Sequence, residues 1–279
     1  MQALRALALA RPPWERSLLD DVVARRPWNI VVRGAHMWAR LRRRVRPLRD
    51  GVTVVVVNWN TREVTADVVR AVQRLSPAGT EVLVIDNGSS DGSRQLFRKW
   101  PKIRTMLLRW NAGHGVALDL GVCSSRTRIT VVLDSDAIPL TAQWLEPAVE
   151  PIRSGNALLA GSRSKRNFVH PMYMAVDTTA FVDRRLSFQI HRAAGVAPKD
   201  SVWGENSWDT AELMTPRIDP AKVVFVERTP NAVDGLPGMT AGDVVYHHGG
   251  VSRAADGGVA DEALAEWRDA CAALASAVD

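Results

Sequence analysis

The chain has 279 residues, 46% of them hydrophobic, enough to bury a core and to exclude disorder throughout. Its net charge of +6 is uneven: residues 1–50 hold twelve arginines, no lysine and four acids, a balance of +8, so the rest of the chain sums to −2. Cys123 and Cys271, two distant cysteines, make neither a disulfide framework nor a metal cluster and read as buried thiols.

The basic character therefore belongs to an arm over 1–50. Such an arm either seeks phosphates, on lipid or nucleic acid, or is the solvated face of a helix. Its apolar stretches are interrupted by arginine and fall short of the roughly 18 residues that a membrane span needs. Residues 1–13 make a poor secretory signal. Trp14, Trp28 and Trp38 are scattered through broken helical patterns, and Arg49-Asp50-Gly51 reads as a boundary.

Beyond it the texture changes. A β-branched run over 52–57 predicts a strand buried on both faces, as in a parallel sheet. Asn60 or Thr61 is placed to cap a helix whose apolar face includes Val64, Val68, Val72 and Leu75. Strands are predicted over 81–85, 103–108 and 129–133, with helices over 95–100 and 116–124 between them. Strand, helix, strand in this order gives an α/β fold with right-handed crossovers, in which ligands bind beyond the carboxyl ends of the strands. Asn58, Asp86, Asn111 and the pair Asp134/Asp136 each follow a strand, so four loops are expected to meet along one edge. In the second half, strands are expected over 157–160, 172–176, 223–226 and 244–246. The stretch 261–278 predicts an amphipathic helix with Leu264, Trp267, Cys271 and Leu274 on one side.

Asp134-Ser135-Asp136 places two carboxylates at i and i+2 in a bend. They are able to converge on a hard divalent cation whose other ligands are phosphate oxygens, although Asp-x-Asp is also common in plain turns. Asp86 leads into Asn87-Gly88-Ser89-Ser90-Asp91-Gly92. It is placed either to accept hydrogen bonds from a nucleobase or ribose, or to bond its own backbone in a glycine-rich turn.

The segment 52–139 resembles the donor-binding half of family 2 glycosyltransferases of the GT-A fold, most of all the rhamnosyltransferase-like branch. The matching stretches are Val56-Val57-Asn58-Trp59-Asn60, the run from Val84 through Ser93, Asn111-Ala112-Gly113 through Gly121, and Leu133-Asp134-Ser135-Asp136. They occur in family order at family-like spacing. The resemblance implies a mostly parallel, Rossmann-like sheet with flanking helices over 51–279, divided into a donor half (51–140) and an acceptor half with a C-terminal helix (141–279). It further implies a donor site at Asn58, Asn60, Asp86, Asn111, Gly113, Asp134, Ser135 and Asp136, and a manganese or magnesium ion held by Asp134 and Asp136. A late histidine completes such metal sites, and of His247 and His248 the second is preferred by a small margin. Asp209 is preferred as the base, with Glu205 second, because 203–209 falls where the family places its acidic segment. Trp208 interrupts the usual acidic pair, and Asp209 would alternatively cap a helix through Met214. Asp119 stands where the family often has asparagine, which puts its contact with the donor sugar in doubt.

The expected activity is transfer of a sugar, with inversion, from a UDP- or dTDP-type donor to an acceptor hydroxyl, lipid-linked or of the cell envelope. The expected location is cytoplasmic, at the inner face of the membrane. The arm is expected to contact anionic lipid, and no nucleic acid partner is expected. A nucleotidyltransferase and a non-catalytic nucleotide-sugar-binding module are the rival readings.

Overall fold

The computed structural model describes residues 27–189, 209–230, 236–251 and 261–276. Helix α1 (Pro27–Val45) leads into strand β1 (Arg49–Asn58), whose run of five valines and a threonine is buried on both faces. Helix α2 (Arg62–Leu75), β2 (Glu81–Asp86), α3 (Ser93–Lys99), β3 (Arg104–Leu107), α4 (His114–Ser124) and β4 (Thr127–Leu133) follow in the alternation that the apolar pattern predicts. Next come β5 (Ala137–Pro139), α5 (Glu146–Arg153), β6 (Leu159–Arg163), β7 (Val169–Asp177) and α6 (Thr178–Asp183). The chain closes with β8 (Val223–Val226), β9 (Arg228–Pro230), β10 (Met239–Ala241), β11 (Val245–His247) and α7 (Asp261–Ser276).

Seven strands form the main sheet in the order β3-β2-β1-β4-β7-β6-β8. The first four run parallel; β7 lies antiparallel between β4 and β6, and β8 runs parallel to β6. The expected α/β architecture of a mostly parallel sheet with flanking helices is the observed one. The strand expected over 157–160 runs over Leu159–Arg163, because Ala157 closes the preceding turn on Pro151.

The reversal at β7 has a positional consequence. The carboxyl ends of β1, β2, β4, β6 and β8 and the amino end of β7 all lie at one edge. Residues far apart in sequence, Asn58, Asp86, Asp134, His170 and Arg228, thereby share that edge. A second sheet, β5-β11-β10-β9, is antiparallel throughout and stands over it.

Two apolar layers flank the main sheet. One packs α2, α5 and Trp267 of α7 on Val54, Val56 and Val131. The other packs α4, α6 and Ala39 of α1 on Val55, Val57 and Val132. Helix α1 is thus fastened to the body. Arg43 pairs with Asp183 at 2.6 Å, and Arg42 donates to the carbonyls of Ser124 and Ser125 beyond α4. Two arginines of the basic arm are thereby committed to the body: Arg42 to the carbonyls at the end of α4 and Arg43 to the end of α6. Trp14 and the rest of the arm before Pro27 lie outside the described residues. Cys123 is buried and Cys271 half-buried, and both are free thiols.

Candidate functional site

The loops after β1, β2 and β3 are knitted together. Asn58 is fully buried: its amide donates to Asp86 Oδ2 (3.3 Å) and Ser89 Oγ (3.0 Å), and its oxygen accepts from Thr61 and Thr65. Asp86 Oδ1 accepts from the backbone of Gly88 (3.2 Å) and Ser89 (3.0 Å), with Arg94 Nη1 at 3.4 Å. Both residues, expected at the donor, spend their polar atoms holding the turn 86–89, as the turn alternative for Asp86 anticipates. Asn60 accepts from Ser90 N (2.8 Å), and Asn87 Nδ2 donates to Asn111 Oδ1 (2.9 Å), which also accepts from Gly113 N (2.8 Å). Gly88 has φ +82°, and a Cβ there would lie 2.4 Å from the carbonyl carbon of Trp110, so only glycine lets the two loops touch.

Asp134-Ser135-Asp136 follows β4 in a turn closed by Ala137 N on Asp134 O (3.1 Å), with half-buried Ser135 at its tip. The small sheet then pairs Ala137 of β5 with His247 of β11, which seats the imidazole beside the two carboxylates. His247 Nε2 lies 3.3 Å from Asp136 Oδ1 and 3.6 Å from Asp134 Oδ2. Successive residues along a strand face opposite ways. His248 accordingly turns from the site: its Nδ1 shares a proton with Tyr246 Oη (3.0 Å), and its Nε2 lies 3.7 Å from Glu266 of α7. Of the two histidines, His247 and not the preferred His248 lies beside the carboxylates.

Asp134, Asp136 and His247 bring ligand atoms within 4.8 Å of one another. Two carboxylates and an imidazole suit a manganese- or magnesium-like ion. The surroundings fit such an ion: His247 Nδ1 is buried without a hydrogen-bond partner, and Asp134 Oδ1 has only His114 at 3.4 Å. Burial opposes ionisation of Asp134, yet His114, His247 and His170 outweigh it and hold the carboxyl well below its usual range. Burial likewise disfavours charge on His247, but Asp136 and Asp134 overcome it and raise its pKa.

The model of the family described as Glycosyl transferase family 2 matches residues 53–193, just over half of the sequence. The chain belongs to this family. It is 29% identical over 126 residues to the glycosyltransferase AglE of Haloferax volcanii, an alignment covering 43% of this chain and 40% of that protein. It is also 29% identical over 89 residues to the putative teichuronic acid biosynthesis glycosyltransferase TuaG of Bacillus subtilis, covering 30% and 35%. The chain therefore spans well under two thirds of these relatives. Among solved structures, the mannosyltransferase PcManGT of Pyrobaculum calidifontis, in complex with GDP-Man and Mn2+, is similar at 19% identity and a TM-score of 0.44, covering 67% of this chain and 59% of that one.

Past the stretch that the family model matches, this family 2 chain adds Asp209, His247 and Arg228 to the same edge. Asp209 Oδ1 accepts from Thr210 N (2.7 Å), and Oδ2 lies 3.4 Å from His170 Nε2. His170 Nδ1 accepts from Met172 N (3.0 Å), so the proton of the neutral ring sits on Nε2, towards Asp209. Burial favours that neutral form. Although burial opposes it, His170, Thr210 N–H and Arg166 hold Asp209 below the usual carboxylate range. No α-helix begins at Asp209: residues 210–214 form turns that lead into 3-10 turns over Thr215–Arg217 and Pro220–Lys222, so the alternative of a helix capped by Asp209 does not hold. Glu205 lies outside the described residues.

Sequence patterns alone do not single out His170 or Arg228. Arg228 Nε donates to Ser162 Oγ (2.7 Å); burial lowers its pKa to about 10 against the pull of Asp134 and Asp209. Arg228 lies two residues beyond the predicted strand 223–226, one residue further out than Asp86 and Asp134, which directly follow theirs. Asp119 spends its carboxylate inside the fold: it is fully buried and accepts from Ser187 Oγ (2.7 Å), Phe188 N (2.9 Å) and Gln189 Nε2 (3.2 Å).

Proposed function

We propose that this chain is a metal-dependent, inverting glycosyltransferase that moves a sugar from a nucleoside diphosphate to an acceptor hydroxyl. The observation that carries the reading is the convergence of Asp134, Asp136 and His247 with the His170–Asp209 pair at one sheet edge of a family 2 chain. In this reading 51–140 is the donor half and 141–279 the acceptor half, with 1–50 as an arm. The turn at Asn87–Ser89 and the segment Asn111–Gly113 form the wall for the base and ribose, shaped by Asn58 and Asp86 from behind. Asp134, Asp136 and His247 hold a manganese or magnesium ion, which when bound neutralises charge gathering on the leaving diphosphate. Arg228, with an unpaired buried N–H beside these carboxylates, donates to a diphosphate oxygen. Asp209, kept ionised, takes the proton of the acceptor hydroxyl as that oxygen bonds to the anomeric carbon from the face opposite the breaking bond. His170 orients Asp209. UDP- and dTDP-type donors and a lipid-linked or cell-envelope acceptor, reached from the cytoplasmic side, complete the reading, in keeping with the rhamnosyltransferase-like branch.

Thermal shifts with UDP, dTDP and GDP, with and without manganese, test the donor site, since a ligand of the folded state raises its stability. Metal-dependent stabilisation by one of them is expected; none by any would remove the reading. Asp209→Asn keeps the shape and loses the base, so it should retain that stabilisation and release nucleoside diphosphate at least ~100-fold more slowly.

A further inference from the structure

Helix α1 has one face that nothing among the described residues covers. Asn29, Val32, His36 and Ala39 are buried against the body, with the His36 ring stacked on Phe181 at 5.3 Å. On the other side Ile30, Val31, Met37, Trp38, Leu41 and Val45 are exposed, from 37% at Ile30 to 81% at Val45. Positions 30, 34, 37, 41 and 45 follow the three-and-four spacing of a single stripe, with Gly34 filling the gap and Val31 and Trp38 beside it. Single exposed apolar residues are ordinary; a stripe running the length of a 19-residue helix marks an interaction surface.

The charges select the occupant. Helix α1 carries five arginines and no acid, and Arg46 follows it. Arg44 and Arg46 are exposed and border the stripe at its carboxyl end. A second copy laid face to face would set arginine against arginine. An anionic lipid surface accepts both features, taking Trp, Met, Leu and Val side chains into the headgroup boundary and arginine onto phosphate. We propose that α1 is an interfacial anchor that lays its Ile30–Val45 stripe into an anionic membrane surface. The arginines on its inner side, Arg42 and Arg43, tie it to Ser124, Ser125 and Asp183, so the anchor is rigid with the body. Anchoring therefore fixes the orientation of the body relative to the membrane. The inference stands apart from the transfer reaction proposed above and does not depend on it.

Co-sedimentation of the full chain with vesicles of phosphatidylcholine alone, and of equimolar phosphatidylcholine and phosphatidylglycerol, tests it at low and high salt. Binding to the phosphatidylglycerol vesicles, weakened by salt, is expected. Leu41→Glu/Val45→Glu should weaken it by roughly tenfold or more, and Arg44→Ser/Arg46→Ser by a smaller factor that disappears at high salt. All four positions are exposed, so melting temperatures should stay at the wild-type value. Val45→Glu alone, at the most exposed position, serves if the double variant melts early. Absence of binding to phosphatidylglycerol vesicles at low salt would overturn the proposal. So would undiminished binding by the Leu41→Glu/Val45→Glu chain. A dimer in sedimentation velocity that these changes dissociate, without vesicle binding, would assign the face to a second copy and overturn it equally.

Discussion

Asp119 offers a test in which the sign and size of an effect both follow from the structure. The carboxyl lies wholly inside, between α4 and residues 187–189, and burial pushes it from the ordinary 3.8 up to about 7 despite three hydrogen bonds that favour its charge. The unfolded chain gives up this proton near pH 4, while the folded chain keeps it to about pH 7. The folded state binds more protons in that window, so the stability from this group is complete below about pH 4 and is lost as pH rises through about 7. At ~1.4 kcal/mol for each tenfold, the interval corresponds to at most ~4 kcal/mol at pH 8. Asparagine has the same shape, still accepts from Phe188 N–H, and never ionises. Gly115, where a Cβ would come within 2.7 Å of Phe188 O, keeps the segment seated in either case. Asp119→Asn should therefore gain on the wild type as pH climbs, by ~1–4 kcal/mol at pH 8 relative to pH 4. Urea unfolding at both pH values measures this directly. A difference between the two chains that does not change with pH would refute the assignment of the shift to buried charge.

Further expectations concern the candidate centre. His247→Ala should weaken manganese binding, read by calorimetry, by ~10-fold or more, whereas His248→Ala should leave it unchanged and lower the melting temperature through lost contacts with Tyr246 and Trp267. An equal loss in both would remove the distinction between the histidines. His170→Ala withdraws a partner that favours ionised Asp209, so the acid limb of the kcat/KM profile should move to higher pH; an unmoved limb would separate His170 from the base. Arg228→Met should lower kcat ~100-fold with little change in acceptor KM. A rise in acceptor KM at constant kcat would place Arg228 at the acceptor instead.

The first half of the fold was legible because its signals are local. Valine runs give buried strands, and each polar cluster follows one of them. Register across long separations is not local. Nothing near His247 announces that β11 will pair with β5 and seat its ring by Asp136, while His248 turns towards α7. His170 was hidden for a related reason: β7 runs backwards in the sheet, so the functional edge meets its amino end, where no strand-end rule looks. Asn58 and Asp86 were placed at the correct edge, but their side chains complete the loops from within, a distinction that depends on which hydrogen bonds are already made. Asp119 shows the converse. Its departure from asparagine reads as a change in the ligand site, and its partners are residues 187–189.

The stretch that the family model matches ends at residue 193, before Asp209, Arg228 and His247. The two carboxylates of the candidate metal centre thus lie in the stretch the family model matches, while its imidazole, its arginine and the candidate base lie in the remainder. The two are joined by the three-residue strands of the small sheet. On the transfer reading proposed above, such a chain would exchange its acceptor through changes confined to the residues after 193, with the loops at Asn87–Ser89 and Asn111–Gly113 left as they are. The constraint on such changes is narrow: a histidine must return to the register opposite Ala137.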